Sequence, residues 1–361
     1  MLFRSENYIE QCIKSVLSQT FQDFEWILVE NGSTDKTREI IRKYAALDER
    51  IKPDYFDVNQ DGFTNYYIAE KADGRYIVKI DSDDWIEPEY LEKLIAPFED
   101  PDVDISICGA VNYEEETGRE TPHEYGELDG VYSKSDIEKQ FIEMRSYMGT
   151  YWGKMFRREI FCSILPDMKE IGEKLKKGDN FGGDVAFALC YLGECKKLAF
   201  VNERMYHYRI HNNSYATRTI GTNRVFSCLA LRETEHHFLH KVNAYTEQNV
   251  IMVDLLFWQN IEQLFKNIIR ADWDTDQKIK TISEVCANKD LQLLRKEAYN
   301  SKVRTILMGD IAWCYMNAGN SKYLKNVLML LEPDIFDSIS NETYEWMREN
   351  QILMSYIIME I

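Results

Sequence analysis

No stretch of this 361-residue chain approaches the run of about 18 to 20 apolar residues that a spanning helix needs, so no transmembrane segment is expected. The opening "MLFRSEN" lacks the basic and apolar regions of a signal peptide, and no secretory leader is expected either. Cations are scarce: 43 Lys and Arg stand against 61 Asp and Glu, a formal charge of -18. Nucleic acid and anionic lipid are both held through cationic side chains that neutralise phosphate, so neither is an expected primary partner. Paired cysteines are missing as well. The eight cysteines stand singly with no C-x-x-C, which argues against a zinc knuckle and a disulfide framework and suits a reducing cytoplasm. No P-loop or glycine-rich phosphate signature occurs among the 17 glycines.

What the chain does have is length and apolar content. With 45% hydrophobic residues it can fill a core, and 361 residues exceed the size at which single cores stop growing, so two domains are expected. From about 8 to 110, β-rich runs such as "FEWILVE", "GRYIVKI" and "VDISICGAV" alternate with helical stretches such as "YIEQCIKSVLSQ", "DKTREIIRKYAA" and "PEYLEKLIAPF". That alternation predicts a Rossmann-like α/β domain built on a mostly parallel sheet. The polar segment from about 112 to 130 breaks the pattern and reads as a hairpin or loop. Beyond about 222 the period is helical, with "VDLLFWQNIEQLFKNIIR" and "YLKNVLMLLE" as the clearest amphipathic runs. The expected organisation is an α/β domain over 1–222 and an all-α region over 223–361, which could serve for acceptor docking or self-association.

The strand "GRYIVKI" ends in "DSDDW", three carboxylates within four residues. Like charges this close raise one another's pKa, so the cluster needs a reason. Strand ends are where ligands bind in open α/β sheets, and a hard divalent cation such as magnesium or manganese would relieve the repulsion while holding a phosphate. The competing reading is that the aspartates cap the helix beginning near Pro88. An EF-hand is excluded because Ile86 stands where the loop needs glycine.

Five segments, in order, resemble the family 2 glycosyltransferases. They are "YIEQCIKSVLSQTFQDFEWILVENGSTDKT", "GRYIVKIDSDDWIEPEYLEKL", "YWGKMFRREIF", "FGGDVAFALCYL" and "YHYRIHNNS", and together they span roughly 8 to 217. The resemblance implies a GT-A fold and inverting transfer of a sugar from a nucleotide donor, a UDP-sugar above all. The acceptor would be a hydroxyl of a glycan or lipid-linked molecule in surface polysaccharide assembly. It implies that Asp83 binds the cation (Mn2+ or Mg2+) on the donor diphosphate, that His211 completes the metal shell, and that Asp81 reaches the ribose or assists the metal. Glu30 and Asn31 would contact the donor, and Trp152 would line the acceptor site. Asp184, at the start of a helical run, would be the general base, with Asp179 the next candidate. His207 is expected on the opposite face of its strand, and Asp84 as a helix cap. The location implied is cytoplasmic, peripheral to the inner face of the membrane.

Three departures stand out. The family's arginine-bearing "A-R-N-x-G" segment is here "FTNYYIAEKADG", with Asn65 and Tyr66 near those positions, and Gly183 replaces a glutamate beside Asp184. The family's first strand also has no counterpart before "YIEQC". Either the gene start is set too late, which predicts that about a dozen restored upstream residues would raise the melting temperature and tighten nucleotide binding, or neighbouring strands close the gap and the base pocket is deformed. Two other functions stay open from sequence: a metal-dependent nucleotidyltransferase, and a catalytically impaired relative acting as a binding module.

Overall fold

The computed structural model describes residues 5–58, 64–123, 128–211, 223–271 and 273–297. Its contacts divide the chain into two units, Met1–Lys169 with Phe187–Thr217, and Glu170–Ala186 with Arg218–Ile361.

In the first unit the elements run α1 (Ile9–Leu17), β1 (Trp26–Asn31), α2 (Thr37–Ala45), β2 (Ile51–Phe56), α3 (Thr64–Lys71), β3 (Tyr76–Val78), β4 (Trp85–Ile86) and α4 (Tyr90–Ile95). They continue through β5 (Val103–Glu114), β6 (Arg119–Pro122), β7 (Gly130–Ser133), α5 (Ile137–Ser146), β8 (Lys154–Arg157) and α6 (Arg158–Ser163). Helices α7 (Leu165–Lys176) and α8 (Gly183–Glu194) then lead out of this unit and back into it, and β9 (Lys197–Ile210) closes it.

Local pattern explains the helices. Helix α1 buries Ile9, Cys12, Ile13 and Val16, one stripe at i, i+3, i+4 and i+7. Strand β5 is buried at six successive residues from Val103 because β8 and β9 flank it and layers cover both faces. At Gly109 the β5–β9 register shifts, and a Cβ there would stand 3.1 Å from the Arg204 side chain and 3.2 Å from the Glu203 carbonyl, so a larger residue would have to push its neighbours aside.

The strand directions differ from the expected mostly parallel sheet. Among the described residues only β1–β2 and β5–β9 pair in parallel, while β3–β8, β4–β9, β5–β6, β5–β8 and β7–β9 are antiparallel. Short links force part of this: β6 follows β5 so closely that only a hairpin is possible, which also accounts for the polar segment after 112. Residues 124–127 of that segment lie outside the described residues. The seven-stranded sheet has the order β3-β8-β5-β9-β4, with β6 on β5 and β7 on β9, and the pair β1-β2 forms a separate sheet. Trp26 and Ile80 pack in both of the apolar clusters that lie beside these sheets. Strand β2 was not expected from the sequence, because Pro53 interrupts the run "IKPDYF"; it is tolerated on a strand with a single neighbour.

The second unit contains α9 (Arg224–Lys241), α10 (Glu247–Arg270), α11 (Thr275–Cys286) and α12 (Lys289–Glu297). Phe257, Ile261, Leu264 and Ile268 form the buried stripe of α10 within the expected amphipathic run. The second such run, "YLKNVLMLLE", lies outside the described residues. No helix among the described residues is long and apolar enough to cross a membrane.

Residues 170–186 are fastened to α9. The Ser227 hydroxyl donates to the Leu175 carbonyl at 3.1 Å and accepts from the Asp179 N–H at 3.2 Å, and Lys174 pairs with Glu233 at 2.9 Å. A fragment ending at residue 222 is therefore expected to expose 170–186 to protease while the sheet stays resistant. Limited proteolysis checks this; a segment that stays protected in the fragment would show that α9 is not what orders it.

Candidate active site

Strand β3 carries the chain to the carboxylates. Val78 and Ile80 pack against the core, so by strand alternation Lys79 and Asp81 project to the other side. Asp81 reaches the surface, yet desolvation by the protein atoms crowded around its carboxyl pushes its pKa above the usual range, with Lys79 opposing and Asp83 adding to that effect. Its backbone N–H donates to the Tyr206 hydroxyl oxygen at 3.1 Å.

Asp84 proves to be a clasp and not a helix cap. It is 1% exposed, one carboxylate oxygen accepts the Tyr206 hydroxyl at 2.7 Å, and the other accepts the Arg209 N–H at 2.8 Å. Burial, then the charges of Asp81 and Asp83, raise its pKa well above the usual carboxylate value. The side chain thus ties the loop after β3 to β9.

Asp83 and His211, 128 residues apart in sequence, meet: Asp83 Oδ2 and His211 Nε2 are 3.0 Å apart. The other imidazole nitrogen, Nδ1, is buried with no hydrogen-bond partner. Arg209 braces the pair, since its Nε donates to the Asp83 carbonyl at 2.8 Å and its guanidinium lies 5.0 Å from the Tyr8 ring and 4.9 Å from Trp85. Sequence reasoning missed Arg209 and Tyr206, although both lie inside the "YHYRIHNNS" motif. The period of two was the available signal. It also corrects the placement of His207, which shares a face with Arg209 and His211, stacks on Trp85 at 4.7 Å and meets Glu87 at 2.7 Å.

A carboxylate oxygen and an imidazole nitrogen at this separation suit a divalent manganese or magnesium ion. Among the described residues no group of three or more His, Cys, Asp or Glu side chains is arranged to hold a metal. Two protein ligands match a cation that takes its remaining ligands from a phosphate and water.

The remaining expected residues are placed as follows. Glu30 is fully buried: Arg38 Nε donates to its Oε2 at 2.6 Å, and the Ser33 N–H donates to its Oε1. Asn31 is 4% exposed at the same strand end. Glu30 therefore holds the turn after β1 through Arg38, a contact that the helical spacing of α2 did not reveal. Trp152 is a correction. It is 5% exposed and its ring lies parallel to Tyr206 at 4.5 Å, so the face expected to meet a sugar is packed in the core. Asp184 is exposed in the first turn of α8, in the part of the chain that belongs to the second unit. Asp179 is bound by Arg224 and accepts the Phe181 N–H at 3.3 Å, which removes it as a spare base.

Residues 2–165 match the family described as Glycosyl transferase family 2. Over 299 residues the chain is 30% identical to EpsH of Bacillus subtilis, a protein named as a glycosyltransferase, covering 81% of this chain and 83% of that one. The chain belongs to the family 2 glycosyltransferases. This glycosyltransferase is also 27% identical over 221 residues to the glycosyltransferase GlyA of Streptococcus pneumoniae, across 59% of its own length and 30% of GlyA. Among solved structures it resembles S. aureus TarS 1-349 in complex with UDP, with a TM-score of 0.55 at 16% identity, covering 98% of this chain and 92% of that one. That likeness gives the fold, which is GT-A.

Proposed function

We propose that this glycosyltransferase moves a sugar from a UDP-sugar to a hydroxyl of a glycan or lipid-linked acceptor, with inversion and with a divalent cation, in surface polysaccharide assembly. The observation that carries this reading is the meeting of Asp83 and His211 at 3.0 Å beside a strand end. Asp83 and His211 would hold manganese or magnesium, which when bound supplies stabilisation of the charge that develops on the departing diphosphate. Asp81, open to solvent beside them, would reach the ribose, and the turn after β1, which the buried Glu30 holds through Arg38 and the Ser33 N–H, would receive the nucleoside. TarS has been solved with UDP and, in another crystal, with UDP-GlcNAc, which supports a uridine nucleotide as the first donor to try. A relative named for teichuronic acid biosynthesis, TuaG of Bacillus subtilis, supports the polysaccharide setting.

Asp184 would take the proton from the acceptor hydroxyl as its oxygen attacks the anomeric carbon. The first turn of a helix favours the ionised carboxylate that this requires. Asp184→Asn is expected to lower transfer by about 10²-fold or more while leaving UDP affinity unchanged. Radiolabelled transfer and a parallel UDP titration check this, and a variant with normal turnover would move the base to another residue.

A further inference from the structure

The diphosphate of a nucleotide donor is strongly anionic, and the carboxylates of this site repel it. Arg209 offers little relief, since its guanidinium is engaged by the Asp83 carbonyl and Gln11 and lies against Tyr8 and Trp85. Lys79 is different: it stands two residues before Asp81 and projects to the same side of the extended chain.

We propose that Lys79 binds the diphosphate of the nucleotide donor, with Asn65 and Tyr151 holding its ammonium in place for that contact. The Nζ donates to Asn65 Oδ1 at 3.3 Å and lies 3.5 Å from the centre of the Tyr151 ring. Asn65 Nδ2 donates in turn to the Tyr151 hydroxyl at 2.8 Å, so both ends of the amide are committed and its orientation is set. Tyr151 is fixed from below by Lys154, which is 1% exposed. That buried ammonium donates to the Thr150 carbonyl at 2.7 Å, the Thr150 hydroxyl at 2.9 Å and the Trp152 carbonyl at 3.2 Å, gripping the backbone on both sides of Tyr151.

The consequence is a lysine whose rotamer freedom is already largely spent, beside the carboxylates, and preorganised for an anion. The ring face of Tyr151 holds the ammonium by attraction to its π cloud, a hold that does not depend on a hydrogen bond. The competing role, simple neutralisation of Asp81, predicts no selective effect on phosphate-bearing ligands.

This inference rests on the donor reading above, and the test separates the two. UDP and uridine are titrated by calorimetry into the full chain with manganese, for the wild type, Lys79→Met and Lys79→Arg, with a thermal melt on each. Lys79→Met is expected to weaken UDP about 10-fold or more and leave uridine within about two-fold, and Lys79→Arg should recover most of the loss. A folded Lys79→Met protein that binds UDP like the wild type overturns the role of Lys79 and leaves the donor reading intact. If the wild type binds none of UDP, CDP, GDP and ADP, the donor reading falls and this role falls with it. Should Lys79→Met fail to fold, Asn65→Ala decides: it keeps the charge but releases it, and unchanged UDP affinity overturns the proposal.

Discussion

Asp83→Ala is expected to abolish manganese-dependent UDP binding and to lower sugar transfer by about 10³-fold, because a cation on the leaving diphosphate is worth several kcal/mol and each 1.4 kcal/mol is a decade. Folding should survive. The Asp83 side chain is 32% exposed, and the contact that Arg209 makes here is to the backbone carbonyl, which alanine keeps. The pairing with His211 is lost, and because that imidazole is only 9% exposed its unpartnered Nε2 costs roughly 1 to 3 kcal/mol, which a domain of about 5 to 15 kcal/mol can absorb. Calorimetric titration of UDP with and without manganese, beside a thermal melt, separates the two effects. A variant that melts normally and still binds UDP only when manganese is present would remove Asp83 from the metal site.

Asp84→Ala should have the opposite signature, a large loss of stability. Truncation strands the Tyr206 hydroxyl and the Arg209 N–H in a buried place, and each unsatisfied group costs roughly 1 to 3 kcal/mol. A loss of about 2 to 6 kcal/mol would consume much of a typical domain's 5 to 15 kcal/mol. Tyr206 is fully buried and stacked on Trp152, so the damage should spread into the aromatic layer under the site. Asp84→Asn should cost less, because the amide oxygen can still accept the Arg209 N–H and its NH2 can donate to the Tyr206 hydroxyl oxygen, although the hydroxyl proton then loses its acceptor. Urea denaturation of the three proteins measures the ranking. An alanine variant within about 1 kcal/mol of the wild type would mean that Asp84 clasps nothing of consequence.

Much of the fold was legible because its signals are local. The stripe of Ile9, Cys12, Ile13 and Val16 needs only the helical period, and the alternating Val103, Ile105 and Ile107 that open β5 need only the period of a strand. Strand direction was not legible, since β8 and β9 take their partners from distant parts of the chain and alternation of elements does not say which edge each will join. Strand β2 was hidden by Pro53, whose usual meaning in a strand is overruled where one edge needs no hydrogen bond.

At the site, the carboxylates of 81–84 could be placed at a strand end from the sequence. The role of each could not, because Asp84 is decided by Tyr206 and Arg209, more than a hundred residues away. The pairing of Asp83 with His211 was reached only through family resemblance, as no local spacing joins them. Trp152 shows the limit of that route: the residue is where the motif puts it, but its ring is committed to Tyr206. Lys79 carried no signal at all, because a lone lysine after a strand looks like any solvated side chain until Asn65 and Tyr151 are seen around it.

The central claim, a cation-dependent sugar-nucleotide transferase, is tested most directly by a donor-hydrolysis screen. The purified chain is incubated with UDP-, GDP-, CDP- and dTDP-sugars, with manganese and with a chelator, and the released nucleoside diphosphate is measured. The account predicts that at least one donor, a UDP-sugar first, is hydrolysed with manganese, and that the chelator and Asp83→Ala each stop the release. Release that continues undiminished in the chelator and in Asp83→Ala, or release of pyrophosphate from a nucleoside triphosphate and of nothing from any sugar nucleotide, would contradict it.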